Sequence, residues 1–227
     1  MKAYIVKVLK TDFVTHNVKR FAVEKPAGYT FIPGQATEIS INKATLQDVL
    51  RPFTFTSLPE ADHLEFIIKI YTGHNGMTEK LLEVKEGDEL IVHEVFGTIR
   101  YEGPGVFIAG GAGITPFIAI LRHLFFLELS KQNKSVTDNT LLFANRTTED
   151  IILKDELKEI LNDHYHDVIE VSVAGQPGNR IDRALLSQYI QPSNHYYYVC
   201  GPDKFTASVV ENLLALGISK PQIILEQ

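Results

Sequence analysis

An arginine, a proline, an aromatic ring and a hydroxyl stand in consecutive positions in "RPFT", Arg51 to Thr54. A guanidinium can neutralise an anion, a flat ring can lie along another flat group, and a hydroxyl can share a proton with a heteroatom. Polar and apolar residues alternate from Phe53 to Ser57, which reads as an extended strand. Arg51, Phe53 and Phe55 then share one face, and Thr54 and Thr56 the other. An ordinary edge strand opened by Pro52, with its threonines on the wet face, suits the same residues.

Two more stretches carry comparable content. "GGAGITP" (Gly110 to Pro116) follows an apolar run and opens a helical one. Glycines there let the main chain approach a pyrophosphate, and a helix start favours the anion. A tight turn that needs glycine for geometry alone fits as well. The stretch is not the G-x-G-x-x-G fingerprint, because Pro116 stands where its third glycine belongs. "VCGPDKF" (Val199 to Phe205) places a cysteine at the carboxyl end of another apolar run. A single cysteine is otherwise a small buried hydrophobe. Asn145 and Arg146 close "LLFANR", where dinucleotide folds meet the adenosine ribose. An acid there suits a free 2′-hydroxyl and an arginine a 2′-phosphate, and a solvated loop arginine is the alternative.

The elements that must position these residues fall into two patterns. Up to about Glu102 the chain runs in short strands, 4–13, 18–26, 36–42, 52–59, 63–71 and 88–97, separated by turn residues. With few crossover helices between them, an antiparallel barrel is expected. "GMTEKLLEV" is the one helix expected inside it. From about Gly103 strands alternate with helices: "GVFIAGG", "TPFIAILRHLFFLEL", "NTLLFANR", "ILKDELKEILNDH", "VIEVSVAG", "DRALLSQYI", "HYYYVCGP", "KFTASVVENLLALG" and "QIILEQ". Such alternation predicts a parallel sheet covered on both faces. The expected division is 1–102 for the barrel and 103–227 for the α/β domain, with "SKQNKSVTDN" as a loop. A cleft between two such domains can hold a flat cofactor on one side and a nucleotide on the other.

Composition narrows the chemistry. The 227 residues, 44% hydrophobic, suffice for a core in each domain. A net charge of −6 argues against holding nucleic acid by its phosphates. "MKAYIVKVLKTDFV" carries charges through what would be the apolar centre of a signal peptide. The run from Gly105 to Leu129 is interrupted by glycines, Pro116, Arg122 and His123, so a buried strand, turn and helix are expected rather than a membrane span. A cytoplasmic protein is the expectation. With Cys200 the only cysteine, disulfides and thiolate-held iron–sulfur clusters are excluded, and the histidines of "HYH" (His164 to His166) read as surface residues rather than metal ligands.

Taken together and in this order, "RPFT", "GGAGITP" and "VCGP" resemble the ferredoxin–NADP reductase superfamily of flavin reductases, over essentially the whole chain. The resemblance implies a six-stranded barrel that binds FAD, or FMN in some branches. It places Arg51 on the flavin phosphate, Pro52 and Phe53 along the ring system and Thr54 near flavin N5. Phe53 stands in place of the commoner tyrosine, as in the free-flavin reductase branch. Gly76, Met77 and Thr78 are implied at the flavin pyrophosphate, and Ile68 and Ile70 at its pyrimidine edge. Gly111, Gly113, Ile114 and Thr115 are implied around the NAD(P) pyrophosphate, with Thr115 towards the nicotinamide and Cys200, Gly201 and Pro202 walling it. Thr54 and Cys200 are thereby the catalytic residues, the cysteine shaping the approach rather than acting as nucleophile. Arg146, with Arg180 as a second phosphate ligand, tilts the donor towards NADPH, although NADH users share a similar segment. The end, "IILEQ", lacks the aromatic that stacks on the flavin in many relatives, and Glu226 reads as a strand-end residue or as the acid found there in some of them. The implied activity passes hydride from NAD(P)H to bound FAD, then electrons to a separate flavodoxin, ferredoxin or oxygenase. Its alternatives are a reductase of free flavin and a subunit active only within a complex.

Overall fold

The computed structural model describes residues 2–73, 76–97, 99–130, 136–171, 178–190 and 195–226. Six strands form the first sheet: β1 (Tyr4–Thr15), β2 (Val18–Glu24), β3 (Ala36–Ile41), β4 (Arg51–Thr54), β5 (His63–Lys69) and β6 (Glu89–Phe96). Their order is β4-β3-β6-β1-β2-β5, and every pairing is antiparallel. Alternate residues of these strands bury Val6, Val8, Phe21, Val23, Leu90 and Val92 in one core, as a period of two requires. Phe55 sits at its centre, stacked on Phe31 with ring centroids 4.2 Å apart.

The sheet curls until its two edges meet. Just beyond β4 the Thr56 N–H donates to the Glu65 carbonyl of β5 at 2.8 Å. Elsewhere β4 and β5 form no ladder, so the barrel keeps a seam along that side. The short helix α1 (Met77–Lys80) follows β5 and buries Met77 in the barrel core. Its continuation is anchored by Lys19, whose buried ammonium donates to the carbonyls of Leu81, Leu82 and Val84 at 3.2, 3.1 and 2.6 Å.

The second half builds a five-stranded parallel sheet: β7 (Gly105–Gly110), β8 (Thr140–Asn145), β9 (Tyr165–Ile169), β10 (Tyr196–Cys200) and β11 (Ile223–Leu225). Its order, β11-β10-β7-β8-β9, reverses direction between β7 and β10. Helices α2 (Thr115–Leu129) and α3 (Lys154–Leu161) cover one face, and α4 (Arg183–Ser187) and α5 (Asp203–Ala215) the other. β9 begins at Tyr165, three residues before the expected Val168, because Tyr165 and Val168 are both buried and extend the β8 pairing. His166 therefore lies on the strand, half-buried beside the Tyr189 ring, while His164 is exposed. The loop expected over 130–139 includes residues 131–135, outside the described residues, and its end packs down through buried Val136 and Asn139.

Gly111–Leu129 is long and apolar enough by composition to cross a membrane. Here Phe117, Ile118, Ile120 and Leu121 of that helix join one core with Phe107 and Phe143 of the parallel sheet and with Val18 and Ile67 of the barrel. A helix packed on two sides needs apolar residues around most of its circumference. The segment joining the two sheets is also pinned: the Tyr198 hydroxyl accepts from the N–H groups of Glu102 and Gly103 and donates to the Gly103 carbonyl.

Candidate active site

All five parallel strands end on one cavity of about 450 Å³. Gly110 to Gly113 follow β7, Asn145 and Arg146 end β8, Glu170 follows β9, Cys200 to Pro202 follow β10, and Glu226 follows β11. The cavity thus straddles the point where strand order reverses, where open parallel sheets bind ligands. A second cavity, about 300 Å³, lies over the barrel seam between Pro52, Phe53 and Thr54 on one side and Ile67, Ile68 and Lys69 on the other. Lys69, Tyr71, Ala112, Thr115 and Glu226 line both, so the two form one cleft between the domains.

The barrel wall is made mostly of side chains. Thr54 is 7% exposed, and its hydroxyl makes no hydrogen bond to a described residue. Phe53 packs its ring against the barrel core while reaching the cavity, and Thr78 of α1 closes one end. β5 is an edge strand on this side, and such an edge presents main-chain donors and acceptors. An apolar slot bordered by an unladdered strand edge and an unpartnered hydroxyl fits a flat, heteroatom-rimmed ring system such as FAD.

The opposite wall is main chain. Gly111 has φ +53°, a conformation that favours glycine, and a Cβ there would meet nothing within 4 Å. At Gly113 a Cβ would lie 2.4 Å from the Cys200 carbonyl oxygen. The first glycine leaves open space for a ligand, and the second lets the turn touch β10. Asn145 is 4% exposed, yet neither its amide oxygen nor its nitrogen has a partner among the described residues. A buried polar pair left unmatched costs about 1–3 kcal/mol, which a polar ligand in the cavity offsets. These features fit a dinucleotide.

Cys200 is 6% exposed, and its thiol donates to the Glu226 carboxylate at 3.2 Å. Burial first, and the carboxylate second, push the thiol well above its ordinary range, so it stays protonated and is no nucleophile. Glu226 therefore reaches the cleft rather than merely ending a strand.

Other expected residues are placed elsewhere. Arg51 is exposed at the start of β4, donates to the Leu50 carbonyl at 2.7 Å and does not line the cleft. Ile70 and Met77 point into the barrel core, and the Ile70 N–H is taken by the Asn17 carbonyl at 2.8 Å. Ile114 is fully buried beneath the glycine turn, and Gly76 caps α1. Arg146 lines the cavity beside Asp150 and Glu170, whereas exposed Arg180 does not line it. Thr54 and Thr56 are not on a wet face: both are buried, Thr54 lining the cleft opposite Ala112 and Thr115, and Thr56 beneath Arg122, which donates to its carbonyl at 2.7 Å. Ile67, Lys69 and Tyr71 are further cleft residues: they share the side of the chain opposite Ile68 and Ile70, and nothing in the sequence marked that side as covered.

An antiparallel barrel with an open seam, facing the switch point of a parallel sheet, defines a two-domain reductase that pairs a flavin with a nicotinamide. Residues 5–101 match the family model of the oxidoreductase FAD-binding domain, and residues 107–211 that of the oxidoreductase NAD-binding domain. The chain belongs to the ferredoxin–NADP reductase superfamily and is an NAD(P)H-dependent flavin oxidoreductase. NADH–cytochrome b5 reductase 1 of Arabidopsis thaliana is 29% identical, over 94% of this chain and 80% of the relative. The reductase component of propane 2-monooxygenase from Rhodococcus jostii is 30% identical over 92% of the chain, which spans 58% of that relative. Among solved structures, a ferredoxin NADP+ reductase from Neisseria gonorrhoeae with bound FAD and NADP superposes with a TM-score of 0.82, covering 99% of this chain and 98% of that one at 20% identity.

Proposed function

We propose that this chain oxidises NADH on a retained FAD and delivers the electrons to a separate redox protein, either a small electron carrier or an oxygenase component. The observation that carries the reading is the single cleft in which five residues are shared between the barrel seam and the nucleotide wall. When bound there, FAD supplies hydride acceptance and release of electrons one at a time. The protein's own part is geometric and electrostatic. Pro52 and Phe53 give a flat wall, the β5 edge offers main-chain hydrogen bonds, and Thr54 presents a hydroxyl with no competing partner among the described residues. Gly111 and Gly113 let the chain approach a pyrophosphate, and the backbone N–H groups opening α2 favour its charge. Protonated Cys200, held by Glu226, shapes the nicotinamide pocket and keeps a nucleophile out of it. Arg51, exposed beside the slot, is free to meet a phosphate. Glu102 and Gly103 are the proposed junction of the two domains.

The choice of NADH rests on the far end of the cavity. Arg146 alone favours a 2′-phosphate, but Asp150 and Glu170 line the same rim and disfavour it. Two carboxylates against one guanidinium suit a free ribose hydroxyl. Curated relatives described as NADH–cytochrome b5 reductases are consistent with that choice.

Purified protein should stay yellow through gel filtration, and anaerobic mixing should bleach the flavin faster with NADH than with NADPH. Loss of all flavin on the column would instead support a reductase of free flavin, a reading favoured by Phe53, which has no phenol to bond the ribityl chain. Thr54→Val should slow flavin reduction about tenfold or more while changing the KM for nucleotide little. Unchanged reduction kinetics would remove Thr54 from the mechanism.

A further inference from the structure

One buried cation ties the two walls of the cleft together. Arg122 lies on α2, with its side chain 17% exposed. Its Nη1 donates to the Thr56 carbonyl and to Glu65 Oε1, each at 2.7 Å. Nε and Nη2 form a fork on Glu156 of α3, at 2.5 and 2.9 Å. Glu65 is itself fixed from the barrel side: its Oε1 accepts from the Thr56 hydroxyl at 2.8 Å, and its N–H donates to the Ser57 hydroxyl at 3.1 Å.

The placement of these partners matters more than their number. Thr56 is two residues past Thr54, and Glu65 is two residues before Ile67, so both barrel contacts sit at the root of the flavin-side wall. Arg122 lies seven residues after Thr115, about two helical turns below the start of α2. A shift of the guanidinium therefore moves Ala112 and Thr115 against Thr54, Ile67 and Lys69. Ion pairs buried in this way contribute little net stability compared with apolar groups of the same volume. What they contribute is direction, since a planar fork accepts few arrangements.

We propose that Arg122, through Glu65 and the Thr56 carbonyl, is a positioning residue that sets the gap between the two walls, and with it the approach of nicotinamide to flavin. This rests on the reading of the cleft as a flavin–nicotinamide site. Hydride transfer needs its partners at near contact distance, so a small opening slows it steeply while each domain still binds its own ligand.

The two carboxylates on Arg122 provide a matched test. Glu156 belongs to the same domain as Arg122, whereas Glu65 belongs to the barrel. Glu65→Gln and Glu156→Gln each remove one charge from the same guanidinium, which Glu65 holds by one hydrogen bond and Glu156 by two, so an ion pair that only holds α2 in place gives no reason for Glu65→Gln alone to slow hydride transfer. The positioning role predicts that Glu65→Gln slows flavin reduction by NADH at least tenfold in single-turnover stopped flow, while Glu156→Gln stays within twofold of the parent. Titrations with FAD and with ADP-ribose should give dissociation constants within about twofold for all three proteins. In the flavin-free chain, amide hydrogen exchange over residues 65–70 and 112–118 should quicken in Glu65→Gln only. Arg122→Ala should recover at least threefold in reduction rate on addition of millimolar ethylguanidinium. Equal slowing by both glutamine variants, or by neither, overturns the proposal. If the parent protein takes up neither FAD nor ADP-ribose, the cleft has been misread and the proposed function fails instead.

Discussion

The two walls of the cleft are built by different means. The barrel wall is mostly a row of side chains, Pro52, Phe53, Thr54, Ile67 and Ile68, carried on strands paired on one side, with the β5 edge as its main-chain part. The nucleotide wall is largely main chain, exposed where parallel strands stop and glycine removes the side chain. Side chains can be exchanged with local consequences, because neighbours repack around a change in volume. Main chain offers no such freedom. The nucleotide wall should therefore fail abruptly on substitution and the barrel wall gradually.

Gly113→Ala is the harshest way to break that contrast. Its Cβ would lie 2.4 Å from the Cys200 carbonyl oxygen and 2.6 Å from the Gly201 Cα, both backbone atoms with nowhere to move. A loss of about 3 kcal/mol is expected, seen as a lower urea midpoint at unchanged slope. Gly111→Ala, two residues away, meets open space and only a left-handed φ of +53°, so about 1 kcal/mol is expected. Nucleotide binding should suffer in both. Equal stability losses would show that conformation, not contact with β10, governs the turn.

The barrel wall is better tested through its support. Lys19→Met keeps much of the side-chain volume but removes the ammonium from the Leu81, Leu82 and Val84 carbonyls, leaving Leu81 only the Val84 N–H at 3.3 Å and the buried Val84 carbonyl without this donor. About 2 kcal/mol of stability should be lost, since a buried acceptor deprived of a charged donor carries its desolvation cost. The affected segment follows α1, which carries Thr78 into the cleft, so flavin should also dissociate several-fold faster. A variant as stable as the parent would mean that water reaches those carbonyls.

The same contrast explains what was legible in the sequence. "GGAGITP" could be read because a strand, a tight turn and a helix make local steric demands that only glycine meets. Helix α2 matches its expected limits, since Pro116 marks the start and apolar residues fill the rest. The barrel wall was harder. The resemblance pointed to Ile68 and Ile70 of "FIIKIY", yet Ile67, Lys69 and Tyr71, from the other side of the chain, line the cleft beside Ile68. Leu64, Phe66, Ile68 and Ile70 fill the barrel core, and no local pattern marks the opposite face of β5 as one that the second domain will cover. Thr54 and Thr56 looked like a wet face because nothing local announces that a second domain will cover them. Arg122 and Lys19 carried no signal either: cations are ordinarily exposed, and their burial depends on partners dozens of residues away.

The mildest test lies where the nucleotide wall opens to solvent, at Cys200 and Glu226. A thiol raised by burial and by an adjacent carboxylate should react with iodoacetamide far more slowly than a free thiol. Its rate should keep climbing about tenfold per pH unit through pH 10, whereas an ordinary thiol levels off above about pH 9. The stability linked to this protonated thiol is present below about pH 8.5 and is lost as pH rises beyond it, because the unfolded chain ionises first. Glu226→Gln removes the charge and leaves the burial. Alkylation at a fixed pH should then quicken several-fold, without a change in urea midpoint at neutral pH. Identical alkylation rates in the two proteins would mean that solvent screens the carboxylate completely, and that the nucleotide wall owes its behaviour to main chain alone.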